Sequence, residues 1–377
     1  MNELLVIIRN KLNRFFYKQI LKRIFFRIDP ERVHDRMNLN GQLLGKFLIT
    51  RKLASLLFSY SNKSLEQNIL GINFKNPIGL SAGFDKDANL TDILPYIGFG
   101  FAEVGSITGE PCQGNPKPRL WRLKKSSALV VDYGLNNEGS IKISKKLQAK
   151  TFVIPIGTNI AKTNSKKTVA ITAGINDYLK AFRQFTEIGS YFTINISCPN
   201  AYGGQPFTDS VRLEALLTKL DEILTKKPVF LKLSPDLAKT EVDRIIKTAQ
   251  QHRVAGFICS NLTKRRNSSK IIERTIPGTG GISGKVVEDL ANDLIAYIYH
   301  KTNRKFIIIG CGGVFSAEDA YKKIKFGASL VQLITGAIYE GPQLISEINQ
   351  GLVSLLRKDG LKNISEAIGL ESRMVRS

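Results

Sequence analysis

A chain of 377 residues with 43% hydrophobic side chains can bury one large core or two small ones and is too apolar to be disordered. Its formal net charge of +23, from 55 Lys and Arg against 32 Asp and Glu, favours anionic partners: a phosphorylated ligand, nucleic acid or an acidic membrane face. Cys112, Cys198, Cys259 and Cys311 form no C-x-x-C pair and His34, His252 and His300 have no paired spacing, so neither a metal site nor a disulfide framework is expected, and a reducing cytosol fits.

Residues 1–29 mix apolar side chains with Arg9, Lys11, Arg14, Lys18, Lys22, Arg23 and Arg27. No apolar run reaches the roughly 18 to 20 residues a membrane span requires, and no small-residue cleavage site follows a hydrophobic core. Leu5, Ile8, Leu12, Phe15 and Phe16 recur near helical spacing between basic residues, which reads as an amphipathic helix on an anionic lipid surface. A helix packed on its own domain and an Arg-rich organelle presequence are the other two readings. A second helical stretch follows Asp29-Pro30 over about 31–57, and two short strands joined by Gly71 lead to Pro77. The expected division is a helical segment over 1–65 and a catalytic domain over 66–377.

The pattern then changes to apolar runs at 78–82, 101–104, 152–156, 191–196, 229–233, 256–259, 306–309 and 330–333, most of them separated by helical lengths. Eight continuous hydrophobic strands alternating with helices predict a parallel sheet covered on both faces and closed into a (β/α)8 TIM barrel with an N-terminal helical extension. A doubly wound open sheet is the alternative, but no G-x-G-x-x-G follows an early strand. The connection over 105–150 is much longer than the rest, and long loops in compact domains usually carry function.

In such a barrel the residues just after each strand converge on one site. Here they are the segment from Ser81 to Lys86, Ser106, Asn159, Asn195 with Cys198 and Asn200, Lys232, Ser260-Asn261, Gly312-Gly313 and Thr335. Amides suit a heterocycle with alternating N–H and C=O edges, and Lys suits an anionic or electron-rich centre. Gly312-Gly313 and Ser283-Gly284 let backbone N–H groups approach a phosphate. Each feature has a plain structural reading: a buried cysteine, turn asparagines, glycines serving tight turns, a Lys232 stem packed in the barrel.

Six ordered motifs carry a resemblance: NPIGLSAGFDK from Asn76, GFGFAEVGSIT from Gly98, GNPKPR from Gly114, NISCPN from Asn195, TGGISGK from Thr279, and the long segment from Ile308 to Pro342. From about Asp29 onward the chain resembles dihydroorotate dehydrogenase, and the DPERVH segment resembles its quinone-reducing, membrane-associated class. The resemblance implies an FMN barrel in which Ala82, Gly83, Lys86, Ser106, Asn159, Asn195, Lys232, Ser260, Gly284, Gly312, Gly313, Ile334 and Thr335 surround the cofactor. Lys86, Asn195, Asn200 and Asn261 would hold dihydroorotate or orotate, and Cys198 with Lys86 would be catalytic. His34 and Arg122 match positions near the quinone, each with a surface ion pair or capping role as the other reading. The implied protein is peripheral, on the cytoplasmic side of the cell membrane, and no nucleic-acid partner is expected.

Departures accompany the matches. Cys198 stands where the membrane-associated class carries serine, as in the soluble class, and a free thiol titrates far nearer neutrality than a hydroxyl. Val131 stands where the family has asparagine, and Leu262 where a small hydroxyl residue is usual, so two hydrogen bonds to the ring are missing. The other functional readings are a soluble-class or related dihydropyrimidine enzyme with another electron acceptor and, more remotely, a non-catalytic barrel for phospholigands or nucleic acid.

Overall fold

The computed structural model describes residues 3–372. Helix α1 (Glu3–Phe16) runs through one π turn (Tyr17–Leu21) into a last turn (Lys22–Phe25). Asp29 then starts α2 (Pro30–Lys46): its carboxylate accepts from Arg32 N at 2.9 Å, and Pro30 occupies the position where a missing N–H costs nothing. The single helix expected over 31–57 is two, because Phe47 adopts an extended conformation before α3 (Leu48–Phe58).

Eight parallel strands close a barrel: β1 (Ile78–Leu80), β2 (Phe101–Ile107), β3 (Ile156–Ile160), β4 (Tyr191–Asn195), β5 (Val229–Leu233), β6 (Val254–Cys259), β7 (Ile307–Cys311) and β8 (Leu330–Leu333), with β8 pairing back onto β1. Seven fall on the expected runs. The third is displaced: the apolar run over 152–156 ends where β3 begins, and β3 itself reads Ile-Gly-Thr-Asn-Ile. A barrel strand faces a polar interior as well as the helices, so its sequence need not be continuously apolar.

The lower interior is filled by Phe101, Tyr191, Phe230, Ile258, Ile309 and Leu330, closed from below by Phe74 of the hairpin Gln67–Ile69 and Ile72–Phe74. Two of these rings need glycine opposite them: a Cβ on Gly79 would lie 2.4 Å from Phe101, and one on Gly157 would lie 2.3 Å from Tyr191. A larger layer of Ile, Leu, Val and Phe separates strands from outer helices.

The long connection after β2 is ordered. Leu120–Leu123 and Ala128–Val131 pair antiparallel, and Gly281–Gly284 joins them from 150 residues away to make a three-stranded cap. Tyr339 pins it, its hydroxyl donating to Leu123 O at 2.9 Å and Ala128 O at 2.8 Å.

Candidate active site

A cleft of about 1260 Å³, counting its open mouth, lies between the C-terminal ends of the barrel strands and the cap. Large concave sites at this end of a barrel are where ligands bind. Of the residues expected around a cofactor, Ala82, Gly83, Lys86, Ser106, Asn195, Lys232, Ser260, Gly284, Gly312, Gly313, Ile334 and Thr335 line it, and so do Cys198, Asn200, Asn261 and His34. Val131 and Leu262 line it too, so both sequence departures lie on the wall.

Two expected residues are not on the wall. Asn159 is fully buried within β3, behind Ser106. Arg122 donates to Ile28 O at 2.8 Å and stacks over Phe26 at 4.8 Å; it shares a face of its cap strand with Leu120 and pairs across to Leu129, both of which line the cleft.

Asn159 nonetheless acts on the wall through a chain of hydrogen bonds. Glu103, buried in β2, accepts from Thr193 Oγ1 at 2.7 Å and from Asn159 Nδ2 at 3.1 Å. Asn159 Oδ1 then accepts from Ser106 Oγ at 2.5 Å, Ser106 Oγ accepts from Asn195 Nδ2 at 3.0 Å, and Asn195 Oδ1 accepts from Asn261 Nδ2 at 3.2 Å. A carboxylate can only accept, so Glu103 sets the direction of every donor up to the two amides that face the cleft. Nothing in the apolar context of Glu103 marks it out in the sequence.

Asp85 accepts from Asn89 N at 2.7 Å and Leu90 N at 2.9 Å, which fixes the turn after β1 that presents Lys86. The Lys86 ammonium sits 3.2 Å from the centroid of Tyr133. Burial pulls its pKa down to about 8, against the opposing pull of Asp35. Tyr133, which sequence reasoning missed, is thus the floor on which Lys86 rests, with Arg119 also over the ring at 5.1 Å. His34 packs edge-on to Phe84 and bonds Phe84 O at 2.9 Å through Nε2, bringing α2 to the rim of the same cleft.

Lys232, 4% exposed, donates to Ser81 Oγ at 3.1 Å. Asn200 donates to Val131 O at 2.7 Å, tying the loop after β4 to the cap. Cys198 is half-buried beside it. Burial pushes the Cys198 thiol above the free-thiol value, to about 11, against smaller opposing effects of the Asn200 N–H and of Lys264 and Lys162.

The arrangement sets a thiol, a desolvated lysine and an amide cluster around one ring-sized space, beside a glycine-bordered channel. A family model described as dihydroorotate dehydrogenase matches residues 64–356. The chain belongs to the dihydroorotate dehydrogenase family. It is 37% identical over 380 residues to a dihydroorotate dehydrogenase (quinone) of Trichodesmium erythraeum, covering 95% of this chain and 99% of that one. A protein of the same name from Nostoc punctiforme is 39% identical over 372 residues, covering 94% and 98%. Among solved structures, the ligand-free dihydroorotate dehydrogenase of Eimeria tenella superposes with a TM-score of 0.80 at 29% identity, over 92% of this chain and 100% of that one.

Proposed function

We propose that this dihydroorotate dehydrogenase oxidises dihydroorotate to orotate, in de novo pyrimidine biosynthesis, through FMN and with a membrane quinone as final acceptor. The observation that carries the reading is the convergence of Cys198, Lys86, Asn195 and Asn261 on one cleft at the strand ends. The relatives named for the quinone reaction, matched nearly end to end, support the acceptor.

The cleft fits FMN by its chemistry and size. Lys232 supplies a buried cation for an electron-rich ring edge, Ser106 and Asn195 supply polar groups, and an added Cβ on Gly83 would meet nothing within 4 Å, leaving open space for a flat ring. Gly284, Gly312, Gly313 and Thr335 would border the phosphate, as glycine-rich turns do. FMN, when bound, supplies two-electron redox chemistry that no side chain here can perform.

The protein's own part is binding, orientation and proton handling. Lys86 pairs with the ring carboxylate, and the amides of Asn195, Asn200 and Asn261 hold the ring. Cys198 takes the proton from C5, replacing the serine of the membrane-associated class. Van der Waals contact from Val131 and Leu262 replaces the two lost hydrogen bonds. In this reading residues 1–65 are the membrane and quinone-access segment and residues 66–377 the FMN barrel, the ends at 1–2 and 373–377 lying outside the described residues, with His34 at the cleft rim and Arg122 on the cap face shared with Leu120.

For the membrane, the support is the distribution of exposed apolar side chains. Most of the large ones among the described residues lie before residue 58, including Leu12, Phe15, Leu43, Phe47, Leu48, Ile49 and Leu53. A patch that large on a soluble surface is normally covered. No helix among the described residues is long and apolar enough to cross a bilayer. The mode proposed from the exposed apolar side chains is peripheral insertion, on the cytoplasmic side of the cell membrane. Replacing Cys198 by Ala tests the chemistry: FMN stays bound and flavin reduction by dihydroorotate slows by about 10² or more, and an undiminished rate removes Cys198 from the mechanism.

A further inference from the structure

Cys198 borders two cavities. One is the cleft. The other, a small one of about 250 Å³ only when the adjoining open solvent is counted, lies behind the loop after β4 and is lined by Lys162, Tyr178, Ala201, Gly204 and Phe207 as well as Cys198. Lys162 follows β3 by two residues and is 4% exposed. Its Nζ donates to Tyr202 O at 3.0 Å and to Thr168 Oγ1 at 3.3 Å, both neutral acceptors. Among the described residues no carboxylate forms an ion pair with it. Asp177, the nearest acid, has its oxygens taken up by Thr163 and by Gly109 N. A buried ammonium so placed has a third proton left over and a charge that is costly until a negative charge forms beside it.

We propose that Lys162 is a positioning residue for the proton-transfer step, stabilising the Cys198 thiolate from the side away from the cleft while its bond to Tyr202 holds the 199–206 loop over the thiol. The inference rests on the reading of Cys198 as base. In that step the C5–H bond breaks and an S–H bond forms on Cys198. The electron pair left at C5 becomes the C5–C6 double bond as the hydride leaves C6 for the flavin oxidant. The S–H proton then returns to solvent through the smaller cavity, and Lys162 keeps its own proton throughout.

The titratable groups around the thiol are Lys264, Lys162, Tyr178 and Cys112. Lys264 exerts the larger pull of the two cations on the thiol, but it is exposed and its field is screened by solvent and salt. Tyr178 has committed its hydroxyl to Asn195 O at 2.8 Å. Cys112 can only add negative charge. Lys162 is left as the buried cation, and burial pulls its ammonium down just as it pushes the thiol up, so each charge costs less in the presence of the other.

The test uses FMN-loaded K162M and K162R, with flavin absorbance and Tm as checks of fold. Alkylation of Cys198 by iodoacetamide as a function of pH, located by peptide mass spectrometry, reads thiol ionisation without turnover. In K162M the midpoint should move up by about one pH unit and flavin reduction at neutral pH should fall roughly tenfold at unchanged KM, while K162R stays within about 0.3 unit of the parent. An unmoved midpoint in K162M overturns the proposal. A K162R as shifted as K162M assigns the effect to loop shape and overturns the charge role. Cys198→Ala that reduces flavin as fast as the parent removes the base reading itself, whatever the alkylation midpoint does.

Discussion

Cys198 and Lys86 make opposite demands on pH within one cleft. As the proposed base, the thiol, pushed up to about 11, would have to lose its proton to act, and the thiolate fraction grows about tenfold per pH unit below that value. Stopped-flow flavin reduction should therefore still be climbing at about pH 9, and a plateau near pH 8 would contradict the assignment. Lys86, pulled down to about 8, is charged below that pH and loses its charge above it, so KM for the anionic substrate should rise as pH passes about 8. The strand-end side chains that line the cleft were legible in the sequence because each follows an apolar run. Glu103, Tyr133 and Lys162 were not. Glu103 sits inside a strand, Tyr133 in the long connection, and Lys162 shares a small cavity with a residue 36 positions away, so only the closed barrel brings them to the site.

The elements were legible where burial alone sets their pattern. The strands β4, β5 and β8 fall on their apolar runs because both faces are covered. β3 slipped by about four residues because its inward positions are Gly157, which makes room for Tyr191, and Asn159, which bonds Glu103 and Ser106, while Phe152 and Val153 precede the strand. The cap strands are four residues each, and one finds its partners only through a contact distant in sequence, which no local period can reveal. The cap meets the N-terminal segment through a buried pair: Arg119 Nε and Nη2 donate to Glu31 Oε1 at 3.0 and 2.9 Å, and both residues are 6% exposed. Replacing Glu31 by Ala leaves that guanidinium without its charge partner and should cost about 3–5 kcal/mol, read as a lower Tm and C_m; a change below about 1 kcal/mol would show that Gln113 O and Asn115 O suffice for Arg119.

At the scale of the whole molecule, α1 settles a question the sequence left open: packing on the barrel and exposing an apolar stripe are not alternatives. One face is tied down, with Arg14 to Glu347 at 2.5 Å, Lys18 to Glu340 at 2.5 Å, and Arg9 to Leu56 O and Ser59 O at 2.9 Å. The other face leaves Leu5, Ile8, Leu12 and Phe15 exposed. Several basic residues expected to meet lipid therefore meet acids and carbonyls of the protein, so the proposed membrane contact would rest more on apolar insertion than on charge. Replacing Phe47, Leu48 and Ile49 together by Ser should abolish flotation with phosphatidylglycerol vesicles and depress quinone reduction while dye-coupled dihydroorotate oxidation persists. Unchanged flotation would place the contact elsewhere.

The central claim is that eight strand ends meet at one flavin site where dihydroorotate gives up a hydride and a proton. Anaerobic titration of the purified protein with dihydroorotate, followed by flavin absorbance, tests it most directly. Bleaching at one equivalent of substrate per flavin, much slowed in Cys198→Ala, is the result expected. A colourless protein, or a flavin spectrum that dihydroorotate leaves unchanged, would contradict it.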